Sequence, residues 1–378
     1  MHSLAVFLLA TMLALAIAPA PQSQKKSSPQ EKTECGTVVP AGQLEAELAH
    51  KAELARKKIA PLAITPPTDA PYHLPLTIHR VRDSQGNQIG LSLEGLDKVM
   101  QNLNQMWAQA GIQFFIYGDI DDSIHNDNFY NLPNTQVSWD ELRIVNNVPN
   151  TINVYFTNLQ GGFNGIATFP NESTQGILLD YRFYRGGVLA HEMGHYFNLF
   201  HTHETWPDSM GNPTKVECPS GSNCDSAGDL LCDTQADPDL IVSVDDNCNY
   251  IGAAAAPAGC DNTPYNPPTR NLMSSSRRFC RTEFTPDQIS KILQTLNSAN
   301  NRKNLITSGA RYVNPLAPSS NSKCTYTAPC RTAAKAVSAA QNGDFIFLKP
   351  GVHPTSSLSG KQVTLTRWGT AGVAELKP

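Results

Sequence analysis

The stretch AHEMGHYFNLFH, at residues 190–201, restricts the possible folds of this chain more than any other. His191 and His195 are four residues apart, so on a helix their side chains project from the same face. Two imidazole nitrogens placed in this way can bind one tetrahedral Zn²⁺ at about 2.0–2.1 Å each. Glu192 lies beside them and can accept a proton from a zinc-bound water. The spacing therefore predicts a helix that carries a catalytic zinc site.

A third histidine cannot reach the same ion by continuing the same helix. His201 lies six residues after His195, which is about 240° further round an α-helix. The chain must turn back, and a left-handed residue just past the helix end makes such a turn. Gly is the usual residue there and Asn is the next most tolerant, so Asn198 can fill this position. We predict that His191, His195 and His201 bind the zinc ion and leave its fourth position open.

Two alternatives to His201 are compatible with the sequence. His203 lies near enough along the chain to be the third ligand instead. Zincins of another class use a distant glutamate, for which Glu217 and Glu283 are the candidates. Neither glutamate stands in the Asn-Glu helix pattern of that class, and this favours His201.

The composition is that of a globular protein with a large domain and a smaller one. The chain has 378 residues, of which 40% are hydrophobic and 16% are charged. Its net charge of -4 is far from the strongly basic balance that is typical of nucleic-acid-binding proteins. We therefore expect no nucleic-acid partner.

The N-terminus has the pattern of a secretory signal peptide. An apolar run extends from Leu4 to about Ala20, and polar residues follow it. An uncleaved membrane anchor is the alternative, but the run is short for a span, and no second stretch is long enough to cross a bilayer. Nine cysteines fit an oxidising compartment. We predict a signal peptide at residues 1–20, an extracellular protein, and no membrane association after the signal is removed.

The remainder of the chain divides into three parts. Residues 21–70 are polar, charged and interrupted by prolines, with a charged helix candidate at 42–60, and we predict a propeptide or linker there. Residues 71–305 are predicted to form the catalytic domain. Residues 310–378 are predicted to form a separate short unit that is rich in β-strands.

Apolar periodicity within residues 71–305 predicts an α+β fold, in which helices pack on a twisted mixed sheet. The loop-rich segment between His201 and about residue 280 contains six cysteines and is predicted to be disulfide-bonded. The predicted strands cover 73–81, 112–118, 150–159 and 175–181; the predicted helices cover 92–111, a segment from near Arg185 through the histidines, and 285–301.

Further segments carry a family resemblance. A histidine motif of the form HExxHxxGxxH followed by a Met-turn is typical of metzincin metallopeptidases, and among them this sequence resembles the pappalysin family. GDLLCDT at 228–234 is similar to the family's GDxVxDTP segment, and NLMSSSRRFC at 271–280 is similar to its Met-turn and following Cys. EFTPDQISKIL at 283–293 resembles its FTxxQ helix, and ECGT at 34–37 resembles a Cys-Gly-Thr found ahead of many of its catalytic domains. Together the matches span about residues 34–296.

The resemblance implies a metzincin-like zincin with an active-site helix, and a role for each matching residue. His191, His195 and His201 would bind the catalytic zinc. Glu192 would act as the general base and then protonate the leaving amine. Met273 would form the apolar floor below the zinc ligands.

The resemblance also implies a calcium site and a pattern of disulfides. Asp229, Asp233 and Thr234 stand where the family commonly binds structural calcium, an ion that prefers oxygen ligands. Cys248 would pair with Cys280. Cys260 would pair with Cys218 or Cys224, and Cys232 would take the remaining partner.

Two residues depart from the family pattern. Ser275 stands where the family often has a Tyr that can steady the oxyanion, and a serine hydroxyl is too short to do this at the zinc. Stabilisation of the transition state would then be weaker or depend on the metal alone. Gln235 stands where the family often has Pro, with an effect that we expect to be local.

Cys35 precedes the predicted domain and has no evident partner. The six cysteines after the histidines and the two near the end can pair within their own groups, which leaves Cys35 over. A thiolate is a good ligand for zinc. Cys35 could therefore occupy the fourth zinc position and hold the enzyme latent until the propeptide is removed. A free or intermolecular thiol is the alternative.

The C-terminal unit resembles the start of secreted right-handed parallel β-helix domains. A short helix over 332–340 precedes two strands, at 344–353 and 361–368, with a spacing of roughly twenty residues. Only about two strands are present, and a solenoid needs three or more repeats to be stable alone. By analogy, this unit would contact a polysaccharide or another surface.

These features together predict a secreted zinc endopeptidase with a protein or peptide substrate. An antiparallel edge strand, assigned to Gly176–Leu179, would hold the substrate extended through main-chain hydrogen bonds. The alternative is a catalytically weak or inactive metzincin scaffold that acts as a secreted binding or adhesion protein through its C-terminal unit.

Overall fold

The structure, a computed structural model, describes residues 35–40, 42–57, 63–67, 71–87, 91–205, 216–255, 260–297, 302–305, 309–354, 360–368 and 373–377. The predicted signal peptide at 1–20 and the first part of the predicted propeptide, to residue 34, lie outside the described residues. No helix among the residues described is long and apolar enough to cross a membrane.

The first part of the fold is a five-stranded sheet with helices on both faces. The predicted helix and strand pattern is present, with short additional elements between its members. In chain order the elements are α1 (Gln43–Lys57), β1 (Tyr72–Arg80), α2 (Leu93–Trp107), β2 (Ile112–Ile116), α3 (Asp127–Tyr130), α4 (Gln136–Arg143), β3 (Ile152–Thr157), β4 (Gly165–Ala167), β5 (Ile177–Asp180), α5 (Val188–Tyr196) and α6 (Pro286–Asn297).

Helix α2 shows how the local sequence sets these bounds. The Ser92 hydroxyl accepts a hydrogen bond from Gly95 N at 3.0 Å and caps the helix. Its apolar residues recur at helical spacing and are buried, ending with Trp107. A short 3₁₀ turn follows, and Gly111 at φ 64° then reverses the chain into β2.

The sheet has the strand order β2-β1-β3-β5-β4. The first four strands are parallel to one another, and β4 alone is antiparallel to its neighbour β5. Side chains of β3 and β5 alternate between two cores: one faces α2, α5 and α6, and the other faces α3 and α4. The predicted α+β fold with a mixed sheet is confirmed.

The assignment of the edge strand to Gly176–Leu179 is wrong. The strand in that region, β5, pairs with β3 on one side and with β4 on the other, so it has no free edge. The antiparallel edge strand is β4, which has only three residues and follows a glycine-rich loop. Such a short strand has too little alternation to be detected from the sequence.

The cysteine-rich segment after α5 is held by three disulfides. Cys248 pairs with Cys280, as the resemblance implied, and Cys260 pairs with Cys218 rather than with Cys224. Cys224 pairs with Cys232. Cys35 is a free cysteine.

The C-terminal unit is built from parallel strands. It contains one further disulfide, Cys324–Cys330. The unit has two small parallel sheets, with the strand orders β6-β7-β9 and β10-β8. Phe345 in β7 lies opposite Thr364 in β9. The elements are β6 (Ala310–Val313), α7 (Ala333–Ala339), β7 (Phe345–Leu348), β8 (Gly351–Pro354), β9 (Thr364–Arg367) and β10 (Ala374–Lys377).

This unit packs against the edge of the larger sheet. Phe115 in β2 makes edge-to-face contacts with Phe345 and Phe347, at ring-centroid distances of 4.7 and 5.5 Å. His73 lies 3.9 Å from the Phe347 ring centroid and is hydrogen-bonded to the Tyr312 hydroxyl at 3.2 Å. The contact gives two parallel coils, which are too few to be stable alone, a second apolar surface to rest on.

Candidate active site

Helix α5 positions the first two histidines and the glutamate. All nine of its residues are buried, and Trp107 Nε1 donates to Ala190 O at 3.1 Å, which ties the helix to α2. His191 and His195 are one turn apart on the same face. Burial lowers the pKa of both imidazoles well below the usual value, and neutral imidazole is the form that binds a metal.

The Nε2 atoms of the three histidines converge. His195 Nε2 lies 3.2 Å from His191 Nε2 and 3.1 Å from His201 Nε2. Nitrogens bound at about 2.0–2.1 Å to one tetrahedral zinc lie about 3.3–3.4 Å apart, so this spacing fits one ion.

Each imidazole is held by a hydrogen bond from its other nitrogen. His191 Nδ1 donates to Leu272 O at 2.6 Å, and His195 Nδ1 donates to Leu199 O at 2.8 Å. His201 Nδ1 lies 3.1 Å from a Glu204 carboxylate oxygen. These partners fix the tautomer that leaves Nε2 free to bind a metal.

The turn that returns His201 to the site is left-handed. Asn198 has φ 70°, and its side-chain oxygen accepts from Gln43 Nε2 at 2.6 Å. The structure therefore brings His191, His195 and His201 together, as the sequence predicted. Of the alternatives, His203 lies outside the group of converging side chains, and neither Glu217 nor Glu283 belongs to it.

Met273 packs against the active-site helix at Gly194. Its side chain is fully buried, and a Cβ at Gly194 would collide with its sulfur. Gly194, which precedes His195, is therefore required for the methionine to pack against α5. Met273 N donates to Asn271 Oδ1 at 2.8 Å, which shapes the tight turn around it.

Glu192 lies against the edge strand β4. A Cβ on Gly165 would fall 2.6 Å from Glu192 Cγ, so glycine is required for the carboxylate to fit there. Burial raises the pKa of Glu192 to about 7, although a hydrogen bond from Thr37 opposes this shift. A carboxylate with that pKa is suited to general acid–base chemistry near neutral pH.

Residues 35–37 occupy the open side of the histidines. Cys35 Sγ lies 3.5 Å from His195 Nε2 and donates to Glu192 Oε2 at 3.6 Å. Together with the three histidines it forms a group of four ligand atoms within 4.8 Å of one another. Burial and the nearby Glu192 charge raise the pKa of the Cys35 thiol, and only a cation in the site would favour its thiolate.

The segment also pairs with the free edge of β4, in the parallel direction. Gly36 N donates to Gly165 O at 2.9 Å, and the Thr37 hydroxyl accepts from Ala167 N at 2.8 Å. The same hydroxyl donates to Glu192 Oε2 at 2.7 Å. Thr37 belongs to the Cys-Gly-Thr segment seen in the sequence, but its contact with the glutamate was not predicted.

Ser275 is hydrogen-bonded to the loop at 239–240. Its hydroxyl donates to Asp239 Oδ1 and accepts from Leu240 N at 2.8 Å. It therefore connects that loop to the Met-turn, and the expectation that it cannot replace a tyrosine stays a prediction.

Two of the three predicted calcium ligands, Asp229 and Asp233, are hydrogen-bonded at the start of α6. Asp233 caps α6, where one oxygen accepts from Thr285 Oγ1 and the other from Asp287 N, both at 2.8 Å. Asp229 and Thr234 are buried, and Asp229 Oδ2 accepts from Gln288 Nε2 at 3.2 Å in the first turn of the same helix. Asp229 is also close enough to Glu217 to raise its pKa. Calcium binding by Asp229, Asp233 and Thr234 stays a prediction, and Asp229 belongs in addition to a second oxygen set.

That oxygen set contains three buried carboxylates. Burial raises the pKa of Glu217 to about 9, of Asp229 to about 7 and of Asp237 to about 6. Glu217 Oε1 and Asp237 Oδ1 are buried without a hydrogen-bond partner among the described residues. A hard cation would satisfy these oxygens. No local spacing in the sequence indicates Glu217 as a calcium ligand, because Glu217 lies in a loop that only the fold brings close to Asp229.

Comparison with known proteins agrees with this geometry. Residues 138–297 match the Peptidase_M43 family, described as pregnancy-associated plasma protein-A. This part of the chain is therefore similar to the catalytic domain of the pappalysin family of metallopeptidases. The pappalysin family is one of metalloproteases, so it implies a zinc ion and a protein or peptide substrate.

Similar proteins include two named extracellular metalloproteases. An extracellular metalloprotease of Pyricularia oryzae is 27% identical over 231 residues, which are 56% of this chain and 70% of the relative. Another, from Verticillium alfalfae, is 29% identical over 158 residues, which are 36% of this chain and 47% of the relative.

Solved structures similar to this chain include mirolysin of Tannerella forsythia. The mature enzyme in complex with a cleaved peptide is 18% identical, with a TM-score of 0.44, covering 64% of this chain and 97% of mirolysin. A promirolysin mutant is 17% identical, with a TM-score of 0.46, covering 72% of this chain and 96% of that protein.

Proposed function

We propose that this protein is a secreted zinc endopeptidase that residues 35–37 hold latent. The proposal is carried by one observation: three histidine Nε2 atoms converge beside a buried glutamate, and a cysteine sulfur lies on their open side. His191, His195 and His201 would hold the zinc. Secretion is supported by the extracellular relatives and by the four disulfides.

When bound, zinc would act as a Lewis acid on the scissile carbonyl and on the attacking water. Glu192 would accept the proton of that water and then deliver it to the leaving amine. Its pKa of about 7 suits both steps, because the group must gain and lose a proton near neutral pH. Met273 would support the histidines from below without taking part in proton transfer.

The free edge of β4 is the proposed substrate-binding strand. Gly165 O and Ala167 N already bond to residues 36 and 37, so both groups point away from the sheet and are able to pair with an extended peptide. A substrate would run antiparallel to β4. Residues 35–37 run parallel to β4, so their chain direction at the site is opposite to that of the proposed substrate.

Latency follows from the same contacts. Cys35 would take the fourth zinc position, and the Thr37 hydroxyl engages the oxygen of Glu192 that water would need. Residues 21–70 would thus be a propeptide, residues 71–305 the catalytic domain, and residues 310–378 a short β-helix-like unit docked on β2.

A structural calcium ion is also proposed, held by Glu217, Asp229 and Thr234 beside Asp237. The support is the pair of unpartnered buried carboxylate oxygens at this position. The ion would fix the loops of the cysteine-rich segment.

Peptide cleavage tests the proposed activity. Full-length chains with Cys35→Ala and with Cys35→Ala plus Glu192→Gln are compared on casein, together with the natural chain, after their zinc content is measured. We expect cleavage by the first chain, about 10²–10⁴-fold less by the second because the general base is lost, and little by the natural chain. Equal activity of the two variants at equal zinc content would contradict the role of Glu192.

A further inference from the structure

A cavity opens beside the histidines on the side of the Met-turn. Its lining includes Cys35, His191, His201, Asp239, Ser275 and Arg281. Two of these residues, Asp239 and Arg281, have ionisable side chains and are not proposed zinc ligands.

The two side chains have different neighbours. Arg281 Nη1 lies 3.3 Å from His191 Nδ1 and donates to Ser274 O at 3.4 Å. Its guanidinium interacts electrostatically with Glu192. Asp239 instead interacts with His201, and its Oδ1 accepts from Ile241 N at 3.3 Å and from the Ser275 hydroxyl. Asp239 is thus hydrogen-bonded within its own loop and to the Met-turn, and it interacts with His201 rather than with Glu192.

The chemistry of cleavage defines which end receives which residue of the substrate. Glu192 delivers a proton to the leaving amine, and that amine belongs to the residue immediately after the scissile bond. The side chain of this residue must therefore enter the end of the cavity near Glu192 and His191. Arg281 is the charged group there.

The Arg281 side chain is only 4% exposed, and no carboxylate of the described residues lies within ion-pair distance of it. The Glu192 carboxylate attracts the Arg281 guanidinium, whereas a second guanidinium, that of Arg278, repels it. A buried guanidinium is stabilised strongly by a carboxylate that it can bind through two nitrogens.

We propose that Arg281 makes this protease select an acidic residue, Asp or Glu, immediately after the scissile bond. The inference rests on the proposed function and adds its substrate class. Arg281 would bind the side-chain carboxylate of that residue and so determine specificity, while Glu192 and the zinc ligands carry out the reaction.

Paired peptides test this selection. The full-length Cys35→Ala chain is given peptides that differ only in Glu or Gln after the scissile bond, and kcat/KM is measured for each. We expect a preference for Glu of at least about tenfold, which Arg281→Met abolishes and Arg281→Lys retains in part. The exposed Arg331 provides the matched control, and Arg331→Met should keep the preference. Equal rates for Glu and Gln would overturn the proposal, as would a preference that Arg281→Met leaves intact.

A binding arm separates this inference from the proposed activity. Product-like peptides with N-terminal Glu or Gln and an amidated C-terminus are titrated calorimetrically into the zinc-loaded Cys35→Ala chain and its Arg281→Met variant. Tighter binding of the Glu peptide that depends on Arg281 supports the assignment even if no peptide is cleaved. Absence of cleavage would contradict only the proposed protease activity. Equal binding of both peptides overturns the assignment. Single amino acids with free and with amidated C-termini are titrated in the same way. If Arg281 selects the free terminal carboxylate over an acidic side chain, the assignment is also overturned.

Discussion

At the residue scale, the site is built from side chains that come from distant parts of the sequence, each of which has its own role. The spacing of His191 and His195 predicted their common face, and the tolerance of asparagine for left-handed backbone predicted Asn198. Glu204, Thr37 and Arg281 could not be predicted in the same way. Each meets the histidines or Glu192 through a turn or through residues brought from another part of the chain.

Asn198 offers a test of the turn. Its φ of 70° is unfavourable for a β-branched residue by about 1–2 kcal/mol and costs glycine nothing. We expect Asn198→Val to lower the free energy of unfolding by that amount and to weaken zinc retention, whereas Asn198→Gly should retain zinc and lose only the hydrogen bond to Gln43. Urea unfolding and zinc retention after dialysis measure both. A valine variant as stable and as zinc-loaded as the glycine variant would show that the turn does not position His201.

At the element scale, the long periodic elements were predictable and the short ones were not. The helix α2 and strands β1, β2, β3 and β5 follow from apolar periodicity, because each buries a repeating face. The three-residue β4 and the short helices α3 and α4 carry no such repeat. Since β4 forms the edge of the sheet, missing it also misplaced the proposed substrate strand onto β5.

The packing of α5 on the Met-turn can be tested with Gly194. A methyl group there collides with the Met273 sulfur, and overpacking of this kind costs about 1–3 kcal/mol. Gly194→Ala should therefore lower the free energy of unfolding by that amount. Met273→Ala removes the sulfur that the added methyl group meets. The double variant, Gly194→Ala with Met273→Ala, should therefore lose less free energy of unfolding than the two single variants lose in sum. Strictly additive free energies from denaturant unfolding would rule out the contact as the cause.

At the scale of the whole molecule, stability is expected to depend on calcium and pH together. Glu217, Asp229 and Asp237 have raised pKa values because they are buried, so without a cation the folded chain binds protons that the unfolded chain releases. The contribution of these three groups to the stability of the calcium-free protein should therefore be highest below about pH 4, where free carboxylic acids are protonated, and should fall as pH rises until the last folded-state pKa, about 9, is passed.

Thermal unfolding of zinc-loaded protein between pH 5 and 9, with and without calcium, measures this dependence. Calcium should remove most of the loss at high pH, because the ion stabilises the ionised carboxylates. The isosteric Glu217→Gln variant should show a weaker pH dependence and a smaller response to calcium. A natural chain whose melting temperature is unaffected by calcium at pH 8 would contradict the proposed ion.

The central claim is that one zinc ion is bound by three histidines and Cys35 in the latent chain. X-ray absorption at the zinc edge of the full-length protein measures the ligands directly. We predict three nitrogens at about 2.0–2.1 Å and one sulfur at about 2.3 Å, with the sulfur replaced by oxygen in Cys35→Ala. A zinc ion with no sulfur ligand in the natural chain, or a spectrum that Cys35→Ala leaves unchanged, would contradict the account.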